Sequence, residues 1–442
     1  MERPAGRHGW RVILGGLLGL LALAPAGWAG MTPGLERRVA ASAPDDQIAV
    51  VATLRAQVDP AEYAGRPEAL IRALRRTAVR TQPGVLDEVD AGAERFWLVN
   101  AVAVDATPDE VRALAADPAV DAVDLDRPVR VADADADATP FADAGTGDWG
   151  LGAIGAAQAQ QAYGVTGAGV RVGSIDTGVD ASHPDLAGKV VAWRDFVNGR
   201  GTPYDDNGHG THTVGTMVGG RAGGAPVGVA PDARVVVAKA VGANGVGPGS
   251  ALLAAAQWMT DPDGNPATAD QPAVVNNSWS APNPNDTWFR PMIRTWLALG
   301  IVPVFAAGNT GPGAGSVGSP AGYPEALAVG AVGEGDQVAD FSARGPVVWS
   351  NPDGSGPAAG TVLAKPDVVA PGVNIVSTVP GGYMGYSGTS MAAPHVAGIV
   401  ALVRQLRPDM PAADVAELIR STARDVGAPG VAEHLRDDAF TQ

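Results

Sequence analysis

The sequence predicts an α/β fold with a mainly parallel sheet, preceded by a smaller α+β unit. Three observations carry this. Short apolar runs recur without polar alternation: VRVGSI (170–175), VVVAKA (235–240), VVNNSW (274–279), IVPVFAA (301–307) and ALAVGAV (326–332). Strands buried on both faces read this way. Helical stretches such as Ser250 to Met259 lie between several of them, the βαβ alternation of a parallel sheet. The texture also changes near residue 131, where ADADADATPFADAGTGDWG, small, acidic and repetitive, separates the two parts of the chain.

Taken in order, residues 1–29 have the pattern of a secretory signal. Arg3, Arg7 and Arg11 supply a positive start, Val12 to Ala24 is apolar, and Gly27-Trp28-Ala29 is a small-x-small cleavage site. The apolar run is short for a membrane span, and an uncleaved anchor is the alternative. From Asp45 to Val131, QIAVVATL (47–54), FWLVNAVAV (96–104) and Val120 to Leu125 read as strands, with Pro128 to Val131 continuing extended. Pro67 to Arg80 and Pro108 to Ala116 read as helices, the second opened by a Thr107/Glu110 capping box. Residues 132–148 are expected to be a linker open to proteolysis. The second domain is expected over 149–442.

Composition narrows the function classes. With 442 residues and 46% hydrophobic content, the chain can bury a large core, so the lack of cysteine does not exclude a secreted protein. The formal net charge is −16. That argues against nucleic acid and anionic membranes as partners. No stretch after the first reaches membrane-spanning length.

Four positions suggest chemistry. In GYSGTSMAAPHVAGIVAL (385–402), Ser390 sits at a glycine-flanked turn before a helix too apolar to be anything but buried. Pro394 fits such a helix if it falls in the first turn. A hydroxyl beside unpaired N–H groups at a helix mouth suits a nucleophile, although a plain N-cap has the same residues. Asp176 ends the strand VRVGSI and His209 lies in NGHGTHTVG. Each could serve structure alone, and His209 with His212 could be read as a metal pair, but zinc pairs on a helix prefer a spacing of four with a glutamate between. Asn309 closes IVPVFAAGN, where a side-chain amide could donate to an oxyanion or merely turn the chain.

Together, SIDTGVD, GHGTHTVG, FAAGN and GTSMAAPH resemble, in order, the signature motifs of the subtilisin-like serine proteases. PDGNPATADQPAVVNNSWS further resembles their bacillopeptidase F-like branch. The resemblance covers about Trp149 to Thr422. It implies a three-layer α/β fold, an acid–base–nucleophile set of Asp176, His209 and Ser390, and an oxyanion donor in Asn309. It also implies substrate-lining residues Gly245, Gly247, Ser278, Trp279, Ser280, Ala307 and Gly308, with His212 and His395 structural. The Asp45–Val131 part resembles the ferredoxin-like inhibitory propeptide of that family. The resemblance thus implies a secreted (extracellular or periplasmic), monomeric endopeptidase acting on protein or peptide substrates, with its own propeptide as intramolecular inhibitor. An inert peptide-binding scaffold is the alternative. A sedolisin-type acid peptidase would need a carboxylate where GHGTH supplies His209. No cofactor is required by this chemistry. Calcium is conceivable as a structural ion, since Asp261-Pro-Asp263-Gly-Asn265 alternates oxygen donors but lacks the closing glutamate of an EF-hand. Where the family usually has a glycine-rich closing segment this sequence reads AEHLRDDAFTQ, and Asp438-Ala439 is the expected remnant of that segment.

Overall fold

The computed structural model describes residues 30–87, 89, 92–131, 139–141, 148–350, 354, 356–426 and 434–435. The expected signal (1–29), most of the 132–148 segment and Asp438-Ala439 lie outside the described residues.

The N-terminal unit runs α1 (Pro33–Ala41), β1 (Ile48–Leu54), α2 (Pro67–Leu86), β2 (Glu94–Phe96), β3 (Ala101–Ala106), α3 (Pro108–Ala116) and β4 (Val120–Leu125). Its sheet has the order β2-β3-β1-β4, with every pairing antiparallel. The capping box of α3 is formed: the Thr107 N–H donates to Glu110 Oε2 at 2.7 Å, and the Glu110 N–H to Thr107 Oγ1 at 3.4 Å. FWLVNAVAV, expected as one strand, is a hairpin. The chain turns back through 97–100, with Asn100 at φ 39°, a backbone region that a short polar side chain tolerates. The Asn100 amide fixes the turn by donating to the Ala56 carbonyl at 2.7 Å. Helix α2 continues past Arg80 through Pro83. The ring removes one bond to the Val79 carbonyl, and Val79 is 77% exposed, so water can take it.

Two short strands follow, β5 (Pro128–Val131) and β6 (Thr139–Phe141), the latter inside the stretch expected to be an irregular linker. The larger unit opens with α4 (Trp149–Ala153) and α5 (Ala156–Tyr163). Next come β7 (Arg171–Asp176), β8 (Val190–Asp195), α6 (His209–Val218), β9 (Arg234–Lys239), β10 (Val246–Pro248) and α7 (Gly249–Thr260). Then follow β11 (Val274–Asn277), β12 (Trp279–Ser280), α8 (Arg290–Ala298), β13 (Val302–Ala306), β14 (Leu327–Val332), and the small pair β15 (Val347–Val348) and β16 (Val362–Leu363). The chain closes with β17 (Val368–Pro371), a hairpin of β18 (Ile375–Val379) and β19 (Gly382–Tyr386), α9 (Thr389–Leu406), α10 (Ala412–Thr422), β20 (Ala423–Arg424) and β21 (His434–Leu435). Strands β17-β14-β13-β11-β7-β9-β8 form the parallel sheet.

The apolar runs face two cores, as strands covered on both sides must. In β9, Val235 and Val237 pack with α6 and α9 residues, whereas Val236 and Ala238 pack with α7 and α8 residues. The result is a three-layer α/β fold. Among the described residues no helix is long and apolar enough to cross a membrane. The run VVNNSW divides at Ser278 into β11 and β12. Asp176, Asn277 and Asn309 gather at the carboxyl ends of parallel strands, the edge where open α/β sheets bind ligands.

Candidate active site

Asp176 is the last residue of β7 and His209 the first of α6. Gly210 lets helix and strand meet: a Cβ there would lie 2.2 Å from the Gly178 carbonyl oxygen. The approach brings His209 Nδ1 to 2.7 Å from Asp176 Oδ1, with both side chains buried. The same carboxylate accepts the Thr177 N–H at 2.7 Å and the Thr213 hydroxyl at 3.3 Å. An acceptor so placed fixes the ring with its proton on Nδ1 and leaves Nε2 as the basic nitrogen.

Ser390 is the second residue of α9, where backbone N–H groups have no carbonyl one turn back. Pro394 does not lie in the first turn, the position expected from the sequence. It sits inside the helix, four residues past Ser390. It therefore removes the bond that the Ser390 carbonyl would accept. The Ser278 hydroxyl takes that place at 2.9 Å, and Ser390 Oγ donates to the Ser278 carbonyl at 3.3 Å. One proline thus ties Ser390 to the turn between β11 and β12.

Asn309 stands just past β13. Its Oδ1 accepts the Thr389 N–H at 2.9 Å and the Thr389 hydroxyl at 2.8 Å. A backbone N–H can only donate, so the amide is oriented with its nitrogen directed away from Thr389. Gly308 makes the turn that sets this up, at φ 106°.

The groove beside these residues is filled by the chain itself. β5 lies between β10 and β12, antiparallel to both. Val129 pairs with Gly247, Arg130 with Val246 and Ser280, and Val131 with Trp279. The Val131 N–H donates to the Gly245 carbonyl at 3.0 Å. Gly245, Gly247 and Ser280 therefore line a groove that accepts an extended peptide through its main chain. Trp279 contributes only backbone, because its indole is fully buried against Phe289 and Phe305. Ser278 and Ala307 are also buried, and Ser278 acts by holding Ser390.

The other two motif histidines are structural. His212 Nε2 reaches the Ile375 and Met384 carbonyls at 2.9 and 3.1 Å, and its ring stacks on Tyr386. Burial pushes its pKa down to about 3. His395 bridges the Met391 carbonyl at 2.9 Å and the buried Asp148 carboxylate at 2.7 Å. His209 and His212 hydrogen-bond to different partners, the Asp176 carboxylate and the Ile375 and Met384 carbonyls.

Sequence reasoning missed several supports. Asp205 accepts from the Gly208 and Thr211 N–H groups at 2.9 and 2.8 Å and from the Thr177 and Thr211 hydroxyls. It caps α6, whose own N-cap, Gly208, has no side chain to do so. Its signal was an aspartate four residues before His209. Thr389 stood in the GTS motif, and only the fold pairs it with Asn309. A cavity of about 780 Å³ lined by Arg171, Ala273, Gly300 and Arg404 lies at the opposite, amino-terminal edge of the sheet, away from this chemistry.

The family described as the Subtilase family matches residues 167–436. Bacillopeptidase F of Bacillus subtilis (strain 168) is 39% identical over 300 residues, covering 62% of this chain and 20% of that protein. The alkaline protease of Alkalihalobacillus alcalophilus is 34% identical over 334 residues, covering 75% of this chain and 76% of that protein. Subtilisin E of Bacillus subtilis (strain 168) is 35% identical over 338 residues, covering 76% and 78%. The chain thus spans a fifth of bacillopeptidase F and about three quarters of the other two.

Proposed function

Because the chain belongs to the subtilase family, the serine endopeptidases of the subtilisin type, we propose that it is a secreted protease made as a zymogen that processes itself, with Ser390, His209 and Asp176 as its triad. The observation that carries the reading is the buried 2.7 Å Asp176–His209 pair at the start of α6, a helix that shares its core with α9, which carries Ser390 in its first turn.

Ser390 Oγ attacks the peptide carbonyl carbon while His209 Nε2 takes its proton. Asp176 holds the ring's tautomer and stabilises the imidazolium. The oxyanion accepts hydrogen bonds from the Asn309 amide and the Ser390 N–H, at the positive end of α9. The imidazolium then gives its proton to the leaving amine, and the C–N bond breaks to leave an acyl-enzyme. Water, deprotonated by His209, attacks the ester and frees Ser390. The substrate is an extended peptide held by Gly245, Gly247 and Ser280, the way the groove now holds Pro128–Val131.

On this reading the N-terminal unit acts as an intramolecular inhibitor, with its strand β5 in the groove. Its strand β5 ends at Val131 opposite Trp279, one register step before Ser278, whose carbonyl accepts the Ser390 hydroxyl. We infer that the cut falls just past β5, after residue 132, within the 132–148 segment expected to be open to proteolysis. The wild-type protein is expected to begin at residue 133 after processing, and Ser390→Ala to accumulate uncut. N-terminal sequencing and intact mass of both proteins test this. Trimming of purified Ser390→Ala at the same bond, with no other protease present, rules self-cleavage out. A fluorophosphonate that labels Ser390 separates an enzyme from an inert peptide-binding scaffold.

A further inference from the structure

Two asparagines stand side by side at the end of β11, the strand between β13 and β7 in the parallel sheet. Asparagine is depleted in strands, yet Asn276 and Asn277 are both fully buried here. A residue that breaks the local pattern inside a buried sheet marks a role beyond packing. Asn277 uses its amide on main chain, where Nδ2 donates to the Val275 and Val304 carbonyls at 3.0 and 3.1 Å. Asn276 belongs to the other face of the strand. Val274, two residues before it, packs in the core that holds α6 and α9, whereas Val275 packs in the core of α7 and α8. Strand alternation therefore sets Asn276 on the side of α9, the helix that carries Ser390.

A chain of hydrogen bonds runs from Asn276 to that serine. Asn276 Nδ2 donates to Ser278 Oγ at 3.0 Å, and Ser278 Oγ donates to the Ser390 carbonyl at 2.9 Å. The direction of the chain is forced. A carbonyl only accepts, so the single hydroxyl proton of Ser278 is committed to Ser390. Ser278 Oγ then has only lone pairs to offer, and the group facing them must donate. An asparagine amide supplies that donor, and the carboxylate of an aspartate would not. The carbonyl at the far end is the one whose helical partner Pro394 removes. The return contact, Ser390 Oγ to the Ser278 carbonyl at 3.3 Å, closes a ring between the two serines.

We propose that Asn276 is a positioning residue for the nucleophile: it orients the Ser278 hydroxyl and, through it, holds the main chain of Ser390. The inference rests on Ser390 being the nucleophile and adds the group that sets where it stands. Ser390 supplies both the attacking oxygen and an oxyanion N–H, so a looser main chain weakens two contacts that mature in the transition state. Fully buried, Asn276 touches neither substrate nor reacting atoms. Its removal therefore lowers kcat and leaves KM in place.

A double-mutant cycle on the purified protein tests this. Asn276→Ala should lower kcat by about tenfold, the rate equivalent of one net hydrogen bond, with KM unchanged. Fluorophosphonate labelling of Ser390 should slow by the same factor. Ser278→Ala breaks the same chain one link further on, so adding Asn276→Ala to it should lower kcat no further. Near-UV circular dichroism checks folding. Asn276→Val, a strand former that fills the space without donating, replaces the alanine variant if that variant unfolds. A merely structural asparagine would lower stability in urea and leave the two kcat losses independent. Losses that multiply across the two substitutions, a loss confined to KM, or unchanged activity therefore overturn the proposal. Each of those results leaves the wild-type protein labelled and active, so the protease reading survives it. A wild-type chain that neither cuts peptides nor labels at Ser390 fails the protease reading and the proposal together.

Discussion

On the proposed mechanism Asn309 and Ser280 border the reacting carbonyl from two sides, and each supports a kinetic prediction. Thr389 fixes the Asn309 oxygen, so the amide nitrogen is pre-aimed and its loss cannot be made good by rotation. Losing one such donor costs about 10²–10³ in kcat, roughly 2.7–4 kcal/mol. Asn309→Ala should show that loss with KM nearly unchanged, since the bond strengthens only in the transition state. A variant that keeps most of its kcat would remove Asn309 from the mechanism. Ser280 faces Gly308: its Oγ is 3.7 Å from where a Cβ on that glycine would sit. On our reading it narrows the pocket for the residue before the cut bond. Ser280→Gly should raise kcat/KM for Phe relative to Ala substrates, a size difference worth about 1–3 kcal/mol in such pockets. Matched Ala, Leu and Phe peptides test it, and an unchanged Phe-to-Ala ratio would free Ser280 of the role. The motifs made Asp176, His209, Asn309 and Ser390 legible. Ser278, Thr389 and Asp205 were not, because their partners lie elsewhere in the chain and only the fold brings them together.

At the scale of the element, helix α6 is tied to the β18–β19 hairpin by His212. An unfolded imidazole binds its proton near pH 6.5, whereas burial holds the folded one down to about 3. Between those values the unfolded chain carries one more proton. Stability should therefore be full above about pH 6.5 and fall as pH drops toward 3, by about 1.4 kcal/mol per pH unit from this group. His212→Gln in the Ser390→Ala chain should flatten the slope of unfolding free energy between about pH 4 and 6 by one proton. Urea titrations across that range measure it, and an identical slope would assign the acid sensitivity to other groups. The buried strands were readable because a run apolar on both faces has few other uses. The hairpin in FWLVNAVAV was hidden because its turn depends on Asn100 meeting Ala56, a contact without local signal. Pro394 misled for the converse reason: its lost bond is satisfied by Ser278, from the turn between β11 and β12.

Across the whole molecule, the two units share more than the groove. Leu70, Ile71, Leu74, Phe96 and Leu98 lie in one apolar cluster with Ala251, Leu252 and Ala255 of α7. Asp126 accepts the Ser250 N–H at 2.9 Å and its hydroxyl, capping α7 from outside, since that helix has Pro248 at its own N-cap. The Gln257 side chain accepts the Trp97 and Leu98 N–H groups. None of this was visible beforehand, because an interface is a property of two surfaces and the sequence gives each only one residue at a time. Strand β5 carries a further consequence. While β5 is covalently joined to the larger unit, occupancy of the groove is an intramolecular equilibrium, independent of how much protein is present. If, as proposed, the bond behind it is cut, the N-terminal unit becomes a separate solute and its hold obeys mass action. Freshly processed protein should thus stay silent in concentrated solution and awaken on dilution, so that the vessel's volume, and not the chemistry of the cut, sets the onset of activity.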